Sequence, residues 1–113
     1  MKRIIIAALL TCLVTPALAA GAQGQYNVKG IGNYSCGKWT AERKDKSLKG
    51  TTYVTWITGY LTSYNNFTPG VVDISKGTDV AGLSAWVDNY CGANPLNDIA
   101  DASNALVQHL KAR

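Results

Sequence analysis

The chain is poor in the side chains that most catalytic and metal-binding chemistry draws on. It has one histidine, one methionine, one phenylalanine and a single glutamate, and only 16% of its 113 residues are charged. Hydrolytic or acid-base catalysis needs a nucleophile beside a base, or two ionisable groups held in a pocket. His109, four residues from the end, has no sequence-local partner for a triad, and a metal site needs several ligands. There is no Cys-x-x-Cys pair and no glycine-rich phosphate loop following a strand. Of the six aspartates, Asp98 and Asp101 suit a helix start and Asp79 suits a cap. The expectation is therefore a protein that is not an enzyme, with no catalytic residues, no metal and no cofactor.

Long apolar runs are equally scarce, and the one candidate sits at the extreme N-terminus. Lys2 and Arg3, the apolar stretch Ile4 to Val14, Pro16 and the small-x-small site Ala17-Leu18-Ala19 read as an export signal over residues 1–19, cleaved after Ala19. The run is too short to span a bilayer, so no membrane span is expected after cleavage. Cys12 is preceded by Leu9-Leu10-Thr11, a poor match to a lipidation box. Cleavage leaves nine basic against seven acidic residues, a formal charge of +2 in place of +4. That small excess is no nucleic-acid footprint.

With Cys12 removed, two cysteines remain, Cys36 and Cys91. An even count in an oxidising compartment predicts a disulfide between them. Closing a loop of this length constrains the unfolded chain by about 4 kcal/mol, a large share of the stability of so small a domain.

Periodicity predicts an all-α domain, a single bundle of about four helices stapled by one disulfide. Residues 20–34 carry four glycines and no sustained apolar period, and read as an arm in which Tyr26 and Val28 alternate as in a short strand. Residues 35–113 form the helical domain. Ser35 is placed to cap a first helix through about Lys44 that carries Cys36, Trp39 and Arg43 on one side. A polar linker from Arg43 to Gly50 follows, and Thr51 or Thr52 opens the central helix, with Tyr53, Trp56, Ile57, Tyr60, Leu61 and Tyr64 at spacings of three and four. Gly59 inside that helix implies close approach of another helix backbone. Pro69-Gly70 ends it, and Val71, Val72 and Ile74 are expected to dip into the core from a connecting loop.

Thr78 or Asp79 caps the third helix, whose stripe is Val80, Leu83, Trp86, Val87, Tyr90 and Cys91 and whose stop is Gly92. Asn94 and Pro95 are expected as cap and first residue of the fourth. Its buried stripe is Leu96, Ile99, Ala102, Ala105 or Leu106, His109 and Leu110. Among the aromatics, Trp39, Trp56, Tyr60, Trp86 and Tyr90 fall on these stripes and are assigned to the core. Tyr26, Tyr34 and Phe67 fall outside them and are the candidates for an exposed partner-contact surface. Asn33-Tyr34-Ser35 and Asn66-Phe67-Thr68 match the glycosylation tripeptide, a chance match in a bacterial-type precursor.

From Ser35 to about Leu110 the chain resembles the periplasmic HdeA/HdeB-type proteins. The likeness rests on Cys36 at a helix start, Trp56-Ile57-Thr58-Gly59-Tyr60-Leu61, Asp73, and Val87-Asp88-Asn89-Tyr90-Cys91-Gly92-Ala93-Asn94-Pro95. The resemblance implies an ATP-independent acid-stress chaperone that is a homodimer at neutral pH. The Gly-Tyr-Leu and Asn-Pro landmarks are also similar to those of the Tai/Rap-type immunity proteins of type VI secretion, which implies neutralisation of an effector by binding. Both imply a periplasmic protein whose partner is another protein, an unfolding client or an effector. An envelope-associated structural protein is the third reading.

Overall fold

The computed structural model describes residues 26–45 and 48–113. The export signal over residues 1–19, its cleavage site, Cys12 and the first residues of the arm lie outside the described residues. The described residues form four helices, α1 (Cys36–Lys44), α2 (Leu48–Phe67), α3 (Val80–Ala93) and α4 (Ile99–Lys111), preceded by a 3-10 turn at Gly30–Asn33. Among the described residues there is no strand, only an isolated antiparallel bridge between Ser35 and Asp98. The alternation of Tyr26 and Val28 does not make one, because no neighbouring chain offers a ladder partner. No described helix is long and apolar enough to cross a membrane.

α1, α3 and α4 each start where a side chain takes up an orphaned backbone donor. Ser35 accepts from the Lys38 N–H at 3.2 Å, and Asp79 from the Gly82 N–H at 2.7 Å. The cap of α4 is Asp98, and Asp98 and Asp101 each accept the other's backbone N–H in a capping box. This corrects the assignment of Asn94 and Pro95 to the start of α4. Asn94 instead closes α3, which runs through Gly92 to Ala93, and its N–H donates to the Tyr90 carbonyl at 3.0 Å. The turn that follows has a different purpose: the Cys36 N–H donates to the Asn97 carbonyl at 2.7 Å and the Gly37 N–H to the Pro95 carbonyl at 3.0 Å. Two free donors at the start of α1 are thus satisfied by the chain leaving α3.

The core is one cluster of Cys36, Trp39, Tyr53, Ile57, Leu61, Ile74, Leu83, Val87, Cys91, Ile99, Ala102, Leu106, Val107 and Leu110. α1 packs on α3 and α2, and α4 lies across α2 and α3. The Cys36–Cys91 disulfide is formed, with the two Cα atoms 4.7 Å apart, and joins the first residue of α1 to the last turn of α3. In α4 Leu106 takes the buried position and Ala105 is half-buried.

Several expected core positions are not core. Val72 is 92% exposed and Leu96 95% exposed, and Val80 and His109 are also on the surface. Val72 and Leu96 sit in connections where no helical register turns them inward, and the stripe of α4 begins only at Ile99. Of the five aromatics assigned to the core only Trp39 is fully buried; Trp56, Tyr60, Trp86 and Tyr90 are half-buried against its rim, and Tyr53 occupies the interior beside Trp39. The two rings meet edge to face with centroids 5.5 Å apart. Gly59 is exposed, and a Cβ placed there meets nothing within 4 Å, so no close helix approach explains it. Gly50 is buried, and α2 begins before Thr51, its expected start.

The arm is seated on α2. The Trp56 indole N–H donates to the Lys29 carbonyl at 2.9 Å, and Gly32 lies flat beneath the indole. A Cβ at Gly32 would come within 2.3 Å of Trp56 Cζ2, so this glycine is required for space and not for backbone freedom. Gly32→Ala is predicted to lower stability by about 1–3 kcal/mol, the usual cost of overpacking. In an NMR spectrum it should also shift the Trp56 indole N–H towards its solvent-exposed position; an unmoved indole resonance would show that the arm does not depend on this contact.

Candidate functional site

Five of the seven acidic side chains, Asp73, Asp79, Asp88, Asp98 and Asp101, hold helix starts, a turn or an ion pair. Asp79, Asp98 and Asp101 are caps, as above. Asp73 organises the α2–α3 connection: its Oδ1 accepts from the Ser75 hydroxyl at 2.6 Å and the Ser75 N–H at 2.9 Å, and its Oδ2 from the Gly77 N–H at 3.1 Å. These three donors, the Ser75 hydroxyl foremost, hold the Asp73 carboxyl below the usual aspartate range. Lys76 and Gly77 both take positive φ (51° and 78°) to close the turn, and the Lys76 ammonium donates to the carbonyl of Arg113.

Asp88 is the acceptor in the one ion pair between described residues. Arg43 approaches it with two nitrogens, Nε at 3.0 Å and Nη2 at 2.8 Å, while the Trp39 indole N–H donates to its Oδ1 at 2.8 Å. The guanidinium also lies 5.0 Å from the Trp39 ring centre. Its pKa is raised, chiefly by the hydrogen bond to Asp88. This group clamps α1 to α3 over the buried indole. At half exposure such a pair contributes modestly on its own, and its geometry matters more as a cover for Trp39.

His109 stands on α4 with its ring 5.3 Å from that of Trp86, which in turn stacks on Tyr90 at 5.6 Å. Among the described residues no group of three His, Cys, Asp or Glu side chains is placed to hold a metal ion. Tyr53 is buried with a hydroxyl that makes no regular hydrogen bond, and burial, with Glu42 nearby, drives its pKa upward. It lies inside the core, away from any opening that would admit a substrate.

The exposed aromatics do converge, although not all three that the sequence singled out. Tyr26 (55% exposed) and Phe67 (79% exposed) both line an open groove of about 280 Å³ whose other walls are Tyr60, Ser63, Tyr64 and Thr68. Tyr34 belongs elsewhere. It sits near the start of α1, edge-on to Tyr53 at 6.1 Å, with the Lys38 ammonium 3.9 Å above its ring. From the groove the aromatic strip continues along α2 through the Trp56–Tyr60 stack (5.6 Å) to a shallow hollow lined by Ile31, Thr51, Thr52, Thr55 and Trp56. Burial, reinforced by the neighbouring Tyr26 hydroxyl, raises the pKa of Tyr60.

The strip is uncharged. Between Lys49 and Asp73 the sequence contains no charged residue. Its threonines are less polar than they look, because Thr55, Thr58 and Thr62 donate their hydroxyl protons back to the carbonyls of Thr51, Val54 and Thr58 at 2.9–3.0 Å. What α2 shows to solvent is therefore ring faces and methyl groups between a few hydroxyls and amides. Such a surface can bind by desolvation and stacking, and it offers nothing for ion pairing. Ser63, Tyr64 and Thr68 were not anticipated as groove residues; the charge-free run between Lys49 and Asp73 is the signal that marks them.

Compared with known proteins, the chain matches no family model, and neither the curated proteins nor the solved structures yield a match.

The Asp73 turn gives a pH dependence of definite sign. A carboxyl whose folded pKa lies below its unfolded value of about 3.9 stabilises the fold above that value, and loses the contribution as pH falls through the folded pKa. Asp73→Ala should therefore unfold at lower urea than the unsubstituted chain at neutral pH, with the gap closing under strong acid. A gap independent of pH would show that the carboxylate form is not what holds the turn.

Proposed function

We propose that this chain is a non-enzymatic, protein-binding protein of the bacterial periplasm that engages its partner through the uncharged aromatic strip of α2. The observation that carries the reading is the convergence of Tyr26, Tyr60, Tyr64 and Phe67 around one open groove on a helix that carries no charged residue after Lys49. Contiguous exposed apolar surface of this kind marks interaction sites, and aromatic residues supply most of the energy in them. The periplasmic setting is supported by the export-type N-terminus and by the disulfide, which persists in oxidising compartments.

Two forms of this reading differ in their trigger. The HdeA/HdeB-like form adds acid activation, in which loss of carboxylate contacts would loosen the packing and extend the apolar surface already present on α2. With seven acidic residues in the chain, acid has few such contacts to break. The immunity-type form is favoured by one feature, that the groove is already open in the folded protein and needs no trigger.

Suppression of aggregation separates the two. With alcohol dehydrogenase as client at about pH 2 to 3, the acid range in which carboxylates lose their charge, the chaperone form predicts reduced light scattering that is weakened in Phe67→Ser and Tyr64→Ser. Protection absent under acid, together with a stable neutral-pH complex with an effector that the same substitutions weaken, would select the immunity form. No protection and no complex would overturn protein binding altogether.

A further inference from the structure

We propose that the groove lined by Tyr26, Tyr60, Tyr64 and Phe67 takes an uncharged, proline-rich segment of the partner protein in the extended polyproline-II conformation. This rests on the protein-binding reading above and names the chemistry of the partner. Peptide-recognition modes make distinct demands, and most are not met here. Addition of a β-strand needs an open sheet edge, and no strand exists among the described residues. Capture of an acidic or phosphorylated segment needs an arginine cluster, and none of the residues lining the groove is basic. An amphipathic helix needs a long trough of aliphatic side chains between helices. The walls here are instead aromatic rings and hydroxyls on one helix face, closed on the far side by the arm.

Such walls match the remaining mode. Proline rings are flat and apolar and pack against tyrosine and phenylalanine faces, while a polyproline-II chain makes no internal hydrogen bonds and leaves its carbonyls free to accept from hydroxyl donors. Ser63, Tyr64 and Thr68 supply hydroxyl groups along the walls. The spacing also fits. Tyr60 and Phe67 are seven residues apart on α2, about 10 Å along the helix axis at about 1.5 Å per residue. One turn of a polyproline-II helix, three residues, advances about 9 Å. Rings at both ends of the groove can therefore meet equivalent positions on successive turns of the ligand. Charge complementarity points the same way: a segment carrying Lys or Glu would give up hydration without gaining a partner. Because the ligand is extended before it binds, little ordering entropy is lost, which suits a shallow groove.

The test is an NMR titration of the oxidised protein with an octaproline peptide blocked at both ends. A Gly-Ser octapeptide and a neutral tetramer of N-acetylglucosamine serve as comparisons. The proposal predicts saturable shifts confined to Tyr26, Tyr60, Tyr64 and Phe67, with affinity lowered about tenfold in Phe67→Ser, the usual cost of losing one well-packed aromatic contact. Phe67 is exposed at the end of its helix, so that variant should fold normally, and Tyr34→Ser, on a separate patch, should bind octaproline unchanged. Absence of saturable shifts, equal binding of the Gly-Ser peptide, binding of the sugar alone, or indifference to Phe67→Ser would each overturn it. If octaproline fails while the Phe67-dependent protection or complex described above persists, the proline assignment falls alone. Failure of both removes the groove as a binding surface.

Discussion

The arrangement depends on the corner where Cys36 meets Cys91. α1 is only nine residues long, and a helix that short is marginal unless its ends and one face are secured. Both are secured at this corner. The disulfide fixes the first residue of α1 to α3, and the turn leaving α3 presents the Asn97 and Pro95 carbonyls to the first two N–H groups of α1. One turn further along, Trp39 is buried against Tyr53, with its indole N–H tied to Asp88 on α3. Covalent, hydrogen-bonding and packing constraints thus act on the same three turns of chain.

This concentration has a consequence for the rest of the molecule. With α1, α3 and α4 committed to the interior, α2 contributes Tyr53, Ile57 and Leu61 to the core and turns its other face outward. Beyond Lys49 that outer face carries rings and back-bonded threonines in place of charge, and the arm reinforces it by seating Lys29 and Gly32 on Trp56. A monomeric surface helix would ordinarily spread charged residues over such a face. The proposed binding role gives the absence of charge a physical purpose, since stacking and desolvation work best where no ion has to be stripped of water.

The helices and their inner stripes were legible from sequence because periodicity and caps agree: Ser35 and Asp79 cap as read, and Leu83, Val87 and Cys91 fall on one face. The single bridge followed from counting cysteines. What was not legible depended on long-range packing. Asn94-Pro95 has the local signature of a helix start, yet its carbonyls serve α1, a partner some sixty residues earlier in the chain. Gly59 mid-helix reads as a packing glycine and faces open space, whereas Gly32, in an arm without pattern, is the glycine that a side chain cannot replace. For the proposed binding surface, aperiodicity singles out Tyr26 and Phe67, which line one groove, and equally Tyr34, which lies elsewhere, because exposure can be read from a missing stripe but convergence cannot.

The decisive measurement is urea unfolding of the oxidised and the reduced protein, with amide hydrogen exchange along α1 followed in both. If the cross-link secures the corner, reduction will lower stability by about 4 kcal/mol, and the α1 amides will lose protection before those of α4. An unchanged unfolding midpoint, with α1 still protected after reduction, would show that packing alone holds this corner and would contradict the account.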